Sequence, residues 1–393
     1  MRLFVNDCGV ICPLGNNRAE VADSLAGGRA MFVKRSDLIH GRTLLVGAVE
    51  ADLPAPPPEA AGLDCRNNRL MLAALRQIAP AIAAAADHYG RHRVAVVLGT
   101  STSGIADGEA ALAARRHDGA WPAAFHYRQQ ETGSIGMFAA RVLGLSGPAY
   151  TVATACSSSA KVFAAARRLI RAGLADAAVV GGADTLCRLT LNGFGALEAL
   201  SKGRCNPFSA HRDGITIGEG AAAFLLSTDP GPVVLLGIGE TSDAHHPTAP
   251  NPEGAGARDT MAQALADAAL RPDDIAYVNL HGTGTPLNDA MESKAVASLF
   301  PPAVPCSSTK GMTGHMLGAT GGVEAAFLWL ALAQDQGLGV LPPHLWDGCA
   351  DPLLPRLALV RPGMPLPERP NLAMLSNSFG FGGSNVSLIL GRG

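Results

Sequence analysis

The chain has 393 residues, of which 48% are hydrophobic and 16% charged, with 46 glycines and a net charge of −2. That length exceeds one ordinary domain and suggests two domains, or two halves fused into one body, while the composition is that of a well-packed globular protein with many tight turns. The near-zero charge favours neither nucleic acid nor an anionic membrane surface, so an acidic partner would need a local basic patch.

The opening stretch MRLFVNDCGVICPLG carries Asp7 inside its apolar run and lacks the form of a signal peptide. Cys8 and Cys12 come nearest to a metal pair, but no second pair follows at zinc-site spacing, and they read as small buried residues. The 8 cysteines are scattered, a pattern of reduced thiols rather than of a disulfide framework. PAPPPEAAG (54–62) is a proline-rich surface excursion, and RVAVVLGT (93–100) is an apolar run ended by glycine, as buried parallel strands are. AYTVATA (149–155) is a second strand, followed by a helix from Ser157 to about Arg171, a stop at Gly173 and a third strand, DAAVVGG (176–182). STDPGPV (227–233) is the seam between the halves 1–229 and 230–393.

The second half repeats this grammar. PVVLLGIGE (232–240) and IAYVNL (275–280) read as strands, while 258–270, 288–299 and a long apolar stretch, 318–335, read as helices. Alternating strands and helices predict an α/β fold with a largely parallel core. The most apolar segment, AAFLWLALA (325–333), is far too short to span a bilayer. We therefore expect no membrane span, no nucleic-acid partner and a soluble, cytoplasmic protein.

Within TACSSSA (154–160), Cys156 stands where a strand turns into a helix. Unpaired N–H groups at a helix N-terminus favour negative charge, which predicts a lowered thiol pKa, and the turn would lift the sulfur into the crevice beyond the strand ends. Taken alone, the residue is either a nucleophile or a small buried side chain. Three loops add chemistry. His281 follows a buried strand in NLHGTGTPLNDAMESKAV (279–296), and His315 lies in SSTKGMTGHMLGATGGVEAA (307–326), just after Lys310. SNSFGFGGSN (376–385) reads as a flexible glycine-dense turn after the strand NLAML. Each loop follows a strand-like segment, so each opens onto the face that carries Cys156. Glu324 is anomalous in an apolar helix unless it is paired, and Lys310 is its natural partner.

TACSSSA, HGTGTPLND, TKGMTGHMLGATG and NSFGFGGSN together resemble the four signatures of the elongating type I/II β-ketoacyl-[acyl carrier protein] synthases. The resemblance extends from CGVICPLGN through RDGITIGEGAAAF (212–224) and TSDAHHPTAP (241–250) to the last residues. It implies the thiolase fold, two similar halves in αβαβα layers, usually dimeric, with a partner subunit that is identical or paralogous. It also implies no metal and no cofactor, the substrates arriving on the phosphopantetheine arm of an acyl carrier protein.

By the same resemblance, Cys156 is the acyl-accepting nucleophile, and His281 and His315 stabilise the enolate formed when malonyl thioester loses CO₂. Lys310 supports the histidines, with Glu324, Asp289 and Glu292 as accompanying acidic positions. The N–H groups of Cys156 and Phe381 form an oxyanion hole. Phe381 gates the acyl pocket within the 380–383 turn, and Phe379, Gly380 and Gly382 lie along the substrate's path. Thr283 and Thr285 hydrogen-bond phosphopantetheine, and Asp243 belongs to a second mobile loop.

The region 101–131 is shorter and differently composed than in typical elongating synthases, so acyl specificity does not carry over. CRNNRLMLAAL and LTLNGFGALEAL resemble synthases of aryl-polyene and polyketide-like pathways, in which a silent paralogue sometimes limits chain length. Arg66, Arg69, Arg115, Arg116, Arg168 and Arg171 are basic candidates for docking the carrier, Arg66 foremost. A thiolase would need a second cysteine in a glycine loop, and initiating synthases place Asn where one histidine stands here. A cysteine hydrolase would need an orienting Asn or Asp for its base. A non-catalytic scaffold is opposed by the retention of Cys156, Lys310 and both histidines.

Overall fold

The computed structural model describes residues 1–333, 338–369 and 371–393. The first half runs β1 (Leu3–Ile11), α1 (Arg18–Ala26), β2 (Val33–Ile39), β3 (Arg42–Val46), α2 (Arg66–Gln77), α3 (Ala79–Tyr89) and β4 (Val94–Gly99). It continues with α4 (Ile105–Asp118), α5 (Ser134–Leu143), β5 (Ala149–Val152), α6 (Ser158–Arg171), β6 (Ala177–Asp184), α7 (Arg188–Ala196) and β7 (Gly220–Ser227). The second half runs β8 (Val233–Ser242), α8 (Ala255–Ala268), β9 (Ile275–Asn279), α9 (Pro286–Leu299), β10 (Pro305–Ser307) and α10 (Lys310–Thr313). Then follow α11 (Thr320–Leu332), β11 (Ala358–Leu359), β12 (Ala373–Gly380) and β13 (Ser384–Arg392).

Eleven strands form one ladder in the order β11-β10-β9-β12-β13-β8-β1-β7-β6-β4-β5. The two halves use the same plan. β1, β7, β6, β4 and β5 are neighbours in that order, with two antiparallel pairings followed by two parallel ones. β8, β13, β12, β9 and β10 repeat the same sequence of pairings. A duplicated plan was legible in the sequence only as alternating grammar, because the repeat lies in connectivity and not in matching residues.

α6 and α11 pack on each other and between the strands of the two halves; α2, α3 and α5 cover the outer face of the first set, and α8 and α9 that of the second. The result is the expected αβαβα layering, with one core cluster around the two central helices and one beneath each outer layer. β4, β6, β7 and β12 are buried along their whole length. That double coverage explains the unbroken apolar character of β4 and the apolar runs of β6 and β7. No single helix is long and apolar enough to cross a membrane among the described residues.

Several expectations shift. The long apolar helix begins at Thr320 after a 3₁₀ turn (Leu317–Ala319), and positions 334 and 335 lie outside the described residues. The stretch 376–385 is mostly hairpin: β12 and β13 pair through Phe379 with Asn385 and Gly380 with Ser384, leaving only 381–383 as the turn. Its polar residues look loop-like in sequence, yet Ser376, Asn377 and Ser378 are buried, as is Ser387 just beyond it. Three hydrogen-bond one another or the polar side chains beside them: Ser387 Oγ donates to Asn377 Oδ1 at 2.7 Å and Asn279 Nδ2 to Ser376 Oγ at 3.3 Å.

Four of the six arginines offered for docking already have neighbours. Arg66 forms a bidentate pair with the buried Glu219 and donates to Val49 O. Arg69 pairs with Asp64, Arg168 with Glu240, and Arg115 lies over the Trp121 ring at 4.7 Å. Arg116 and Arg171 are exposed.

Candidate active site

The duplicated plan explains why the reactive groups meet. α6 and α11 are equivalent helices, and their first turns touch: Gly322 N–H donates to Ser159 Oγ at 2.7 Å, and a Cβ on Gly321 would come within 2.8 Å of Ala160 Cβ. Cys156 precedes α6 and His315 precedes α11, so both side chains emerge at the same junction. The Cys156 sulfur lies 3.1 Å from His315 Nε2.

The turn that carries the cysteine is tightly held. Ala155 adopts φ +52°, a left-handed conformation that strains any residue with a Cβ. The three serines that follow each anchor it. Ser157 Oγ donates to Thr154 O at 2.8 Å, Ser158 Oγ to Ala155 O at 2.6 Å, and Ser159 takes the Gly322 bond.

His281 sits across from His315, ring centroids 5.3 Å apart and nearly perpendicular, with Phe379 edge-on at 5.9 Å. Both imidazoles are held well below their usual pKa, first by burial and then by the nearby Lys310 charge. Each is therefore neutral at physiological pH, with one ring N–H to give. His315 Nδ1 faces Thr320 Oγ1 at 2.9 Å, and since a hydroxyl can donate or accept, either tautomer of His315 is satisfied. His281 Nδ1 has no partner among the described residues.

Lys310 and Glu324 form the pair expected from the sequence: Nζ to Oε1 is 2.6 Å, with both side chains fully buried. Asp289 and Glu292 do not touch the imidazoles. Glu292 accepts from the N–H of His281 at 2.7 Å and of Gly282 at 2.6 Å, and Asp289 accepts from the N–H of Phe208 and Gly284. They clamp the loop, not the ring. Burial raises Glu292 to about 7 and Asp289 to about 6 against those N–H bonds.

The mouth is a cavity of about 280 Å³ reaching Cys156, His281 and His315, lined also by Phe194, Leu197 and Leu287. Thr283 and Thr285 bond each other at 2.9 Å and face this cavity. Phe381 is 40% exposed and packs edge-on against Phe194 at 5.5 Å. Asp243 ties its own loop to the turn beside Phe381: its N–H donates to Gly383 O, its carboxylate takes Asn385 Nδ2 at 2.7 Å, and Gly382 N–H donates to Pro247 O. Gly382 has φ +86°, and a Cβ on Gly380 would stand 2.8 Å from Thr154 O, so both need glycine.

One expectation is overturned. Burial pushes the Cys156 thiol up to about 11, with Lys310 and the backbone N–H groups of Phe381 and Cys156 pulling it only partly back. Sequence reasoning had the helix end right but could not weigh desolvation against it. The resting group is the thiol, with His315 Nε2 3.1 Å from its sulfur. Alkylation by iodoacetamide should then keep rising, about tenfold per pH unit, to near pH 11. A plateau by pH 8 would show a thiolate already formed. At each pH, Cys156 should label ahead of the other buried cysteines because it alone of them opens to the cavity, while the exposed Cys349 labels freely.

Sequence reasoning missed Phe194, Asn385 and Thr320. All three stood inside stretches singled out in the sequence without a role of their own: Asn385 and Thr320 in the loop motifs and Phe194 in LTLNGFGALEAL. The sulfur and ring nitrogens of Cys156, His281 and His315 lie within 4.8 Å of one another, near enough to gather a metal ion. The buried Lys310 charge, which acts on all three, opposes a cation there.

Sequence models for "Beta-ketoacyl synthase, N-terminal domain" and "Beta-ketoacyl synthase, C-terminal domain" match residues 5–230 and 233–345. The chain is 35% identical over 271 residues to 3-oxoacyl-[acyl-carrier-protein] synthase 2 of Staphylococcus aureus, an alignment covering 63% of this chain and 64% of that relative. It thus spans just under two thirds of the relative's length. A ketosynthase (ApeO), solved in complex with its chain length factor (ApeC) from Xenorhabdus doucetiae, superposes with a TM-score of 0.95 at 45% identity, covering 100% of this chain and 98% of that one. The ishigamide ketosynthase/chain length factor superposes with a TM-score of 0.87 at 28% identity, over 99% of this chain and 98% of the other. The αβαβα arrangement is the thiolase fold of these ketosynthases.

Proposed function

The chain belongs to the β-ketoacyl synthase family, and we propose that it catalyses a decarboxylative Claisen condensation between an acyl group held on Cys156 and malonyl-[acyl carrier protein]. The observation that carries this reading is the meeting of the Cys156 sulfur with His315 Nε2 at 3.1 Å, His281 completing the pair.

The steps follow from that geometry. His315 Nε2 takes the thiol proton as the sulfur attacks the acyl-carrier thioester. The oxyanion of that step lies against the N–H groups of Cys156 and Phe381, both of which face the sulfur. The carrier thiolate leaves and recovers the proton from His315. Malonyl-carrier then binds with its thioester oxygen toward the two imidazoles; loss of CO₂ leaves an enolate stabilised by an N–H of His281 and by His315 in its Nε2–H tautomer, Nδ1 then accepting from Thr320 Oγ1. The enolate carbon attacks the acyl carbonyl, the Cys156 sulfur departs as thiolate, and the one proton that the condensation consumes reaches it from solvent. The chain has grown by two carbons. No metal or organic cofactor is called for.

Thr283 and Thr285 serve as hydrogen-bond partners for the phosphopantetheine arm, whose path runs past Phe379, Gly380 and Gly382. Phe381, packed edge-on against Phe194, is the gate, and the Asp243 loop moves with it. The chain divides functionally at residues 229 and 230. It is a cytoplasmic enzyme that pairs with an identical or paralogous subunit in a fatty-acid, polyketide or aryl-polyene pathway, a reading supported by its likeness to ketosynthases solved with chain length factors. The reading as a silent subunit is disfavoured, because the reactive set is complete.

Incubation with acyl-carrier thioesters of graded length should add the acyl mass to Cys156, and malonyl-carrier should then yield β-ketoacyl-carrier. A chain that gains no mass with any length would be a silent subunit.

A further inference from the structure

We propose that Asp184 is a positioning residue for this reaction: through Ser101 it fixes the turn that carries His315. The proposal rests on the role given to His315 above.

Asp184 ends β6 and is fully buried. Among the described residues, every hydrogen bond its carboxylate accepts comes from three consecutive residues beyond β4. Thr100 Oγ1 donates at 2.7 Å, Thr102 N and Oγ1 at 2.7 and 2.8 Å, Ser101 N at 2.8 Å and Ser101 Oγ at 2.7 Å. All are donors. An amide in its place would set its N–H₂ against them, so the site demands a carboxylate.

A buried aspartate that closes the end of a strand is often structural and nothing more. Here the chain of bonds continues. Ser101 Oγ gives its hydrogen to Asp184 Oδ2 and accepts the N–H of Gly318 at 2.8 Å, across 217 residues. Gly318 lies between His315 and Thr320, the two residues whose side chains meet at His315 Nδ1. There is no slack at this point: a Cβ on Gly318 would stand 2.5 Å from Ser101 Oγ and 2.7 Å from Asp184 Oδ2, and the adjacent Leu317 is held at φ +51°. On its other side the turn is gripped by the extended segment 216–218, His315 N–H donating to Thr216 O at 2.7 Å and Gly218 N–H to His315 O at 2.9 Å. Releasing the Asp184 side leaves one grip of two, and the imidazole loses its fixed distance to the sulfur and to the thioester oxygen.

The test begins with Ser101→Ala, which cuts the link while leaving Asp184 its bonds to Thr100 and Thr102. CO₂ release from malonyl-carrier should fall in kcat by on the order of 10-fold, with KM within about twofold and an unchanged melting curve, because small displacements of a reacting group are costly. Ser101→Thr keeps the hydroxyl and should restore the rate. Asp184→Asn should fall further, toward 10²-fold. Wild-type rates in Ser101→Ala, a loss confined to KM, or failure of Ser101→Thr to rescue would overturn the assignment. Wild-type protein that releases no CO₂ would instead overturn the functional reading itself.

Discussion

Cys156→Ala should abolish condensation while malonyl-carrier still loses CO₂ at a measurable rate, because the histidines that hold the enolate remain. His281→Ala should do the reverse: acyl loading of Cys156 persists while decarboxylation falls by roughly 10²–10³-fold, the worth of one oxyanion-type donor. His315→Ala should lower both half-reactions, since Nε2 lies 3.1 Å from the sulfur and also serves the enolate. The two histidine losses should be less than additive in decarboxylation, as both act on one oxygen. CO₂ release and acyl-enzyme mass, measured for each variant, separate the three roles. If Cys156→Ala stops decarboxylation as completely as His281→Ala, the division of labour is wrong.

The second large effect lies one layer deeper. Lys310→Ala leaves Glu324 buried without its cation, in a site where Oε2 already has no hydrogen-bond partner among the described residues. Removing one member of a buried pair costs about 3–5 kcal/mol, mostly the uncompensated charge left behind. The folded protein should shift its denaturation midpoint accordingly. Lys310→Met combined with Glu324→Gln should recover most of that loss, because no charge is then stranded. It should not recover the histidines' environment: without the ammonium, both imidazoles lose a positive neighbour that depresses their basicity, and their pKa values rise. The neutral form is the one that holds the enolate, so the acid limb of decarboxylation should move to higher pH in the double variant. A double variant as unstable as Lys310→Ala would argue against the buried pair as the cause.

What the sequence disclosed, and what it withheld, follows the range of the interactions concerned. The Lys310–Glu324 pair was legible because a lone acid in an apolar helix is costly without a cation, and one stood fourteen residues upstream. The strand-to-helix junction at Cys156 was legible for the same reason: the periodicity changes within a few residues. The thiol's pKa was not, because it is set by how much protein covers the sulfur. Arg66 looked like a surface charge until Glu219, far along the chain, turned it inward. β7 was passed over as a strand because GAAAFLLS, rich in Ala and Leu rather than β-branched residues, cannot be told from a short helical run by its pattern. Asp184 gave no signal at all; its meaning lies in residues 100–102 and 318, which only folding brings to it.

The place of β1 in the ladder has a bearing on how the protein is made. Phe4 pairs with Ser227 on one side and with Val234 on the other, so the first strand joins the two halves. During synthesis it emerges more than two hundred residues before either neighbour exists. At translation rates of about 5–20 residues per second, the wait is on the order of ten seconds or more. Throughout that interval its apolar side chains and open edge must be kept from other chains, and the loop that finally closes upon it is among the longest and slowest that a single domain asks for. The first half can close its five strands once β7 has emerged, but β1 keeps one edge open until β8 of the second half arrives.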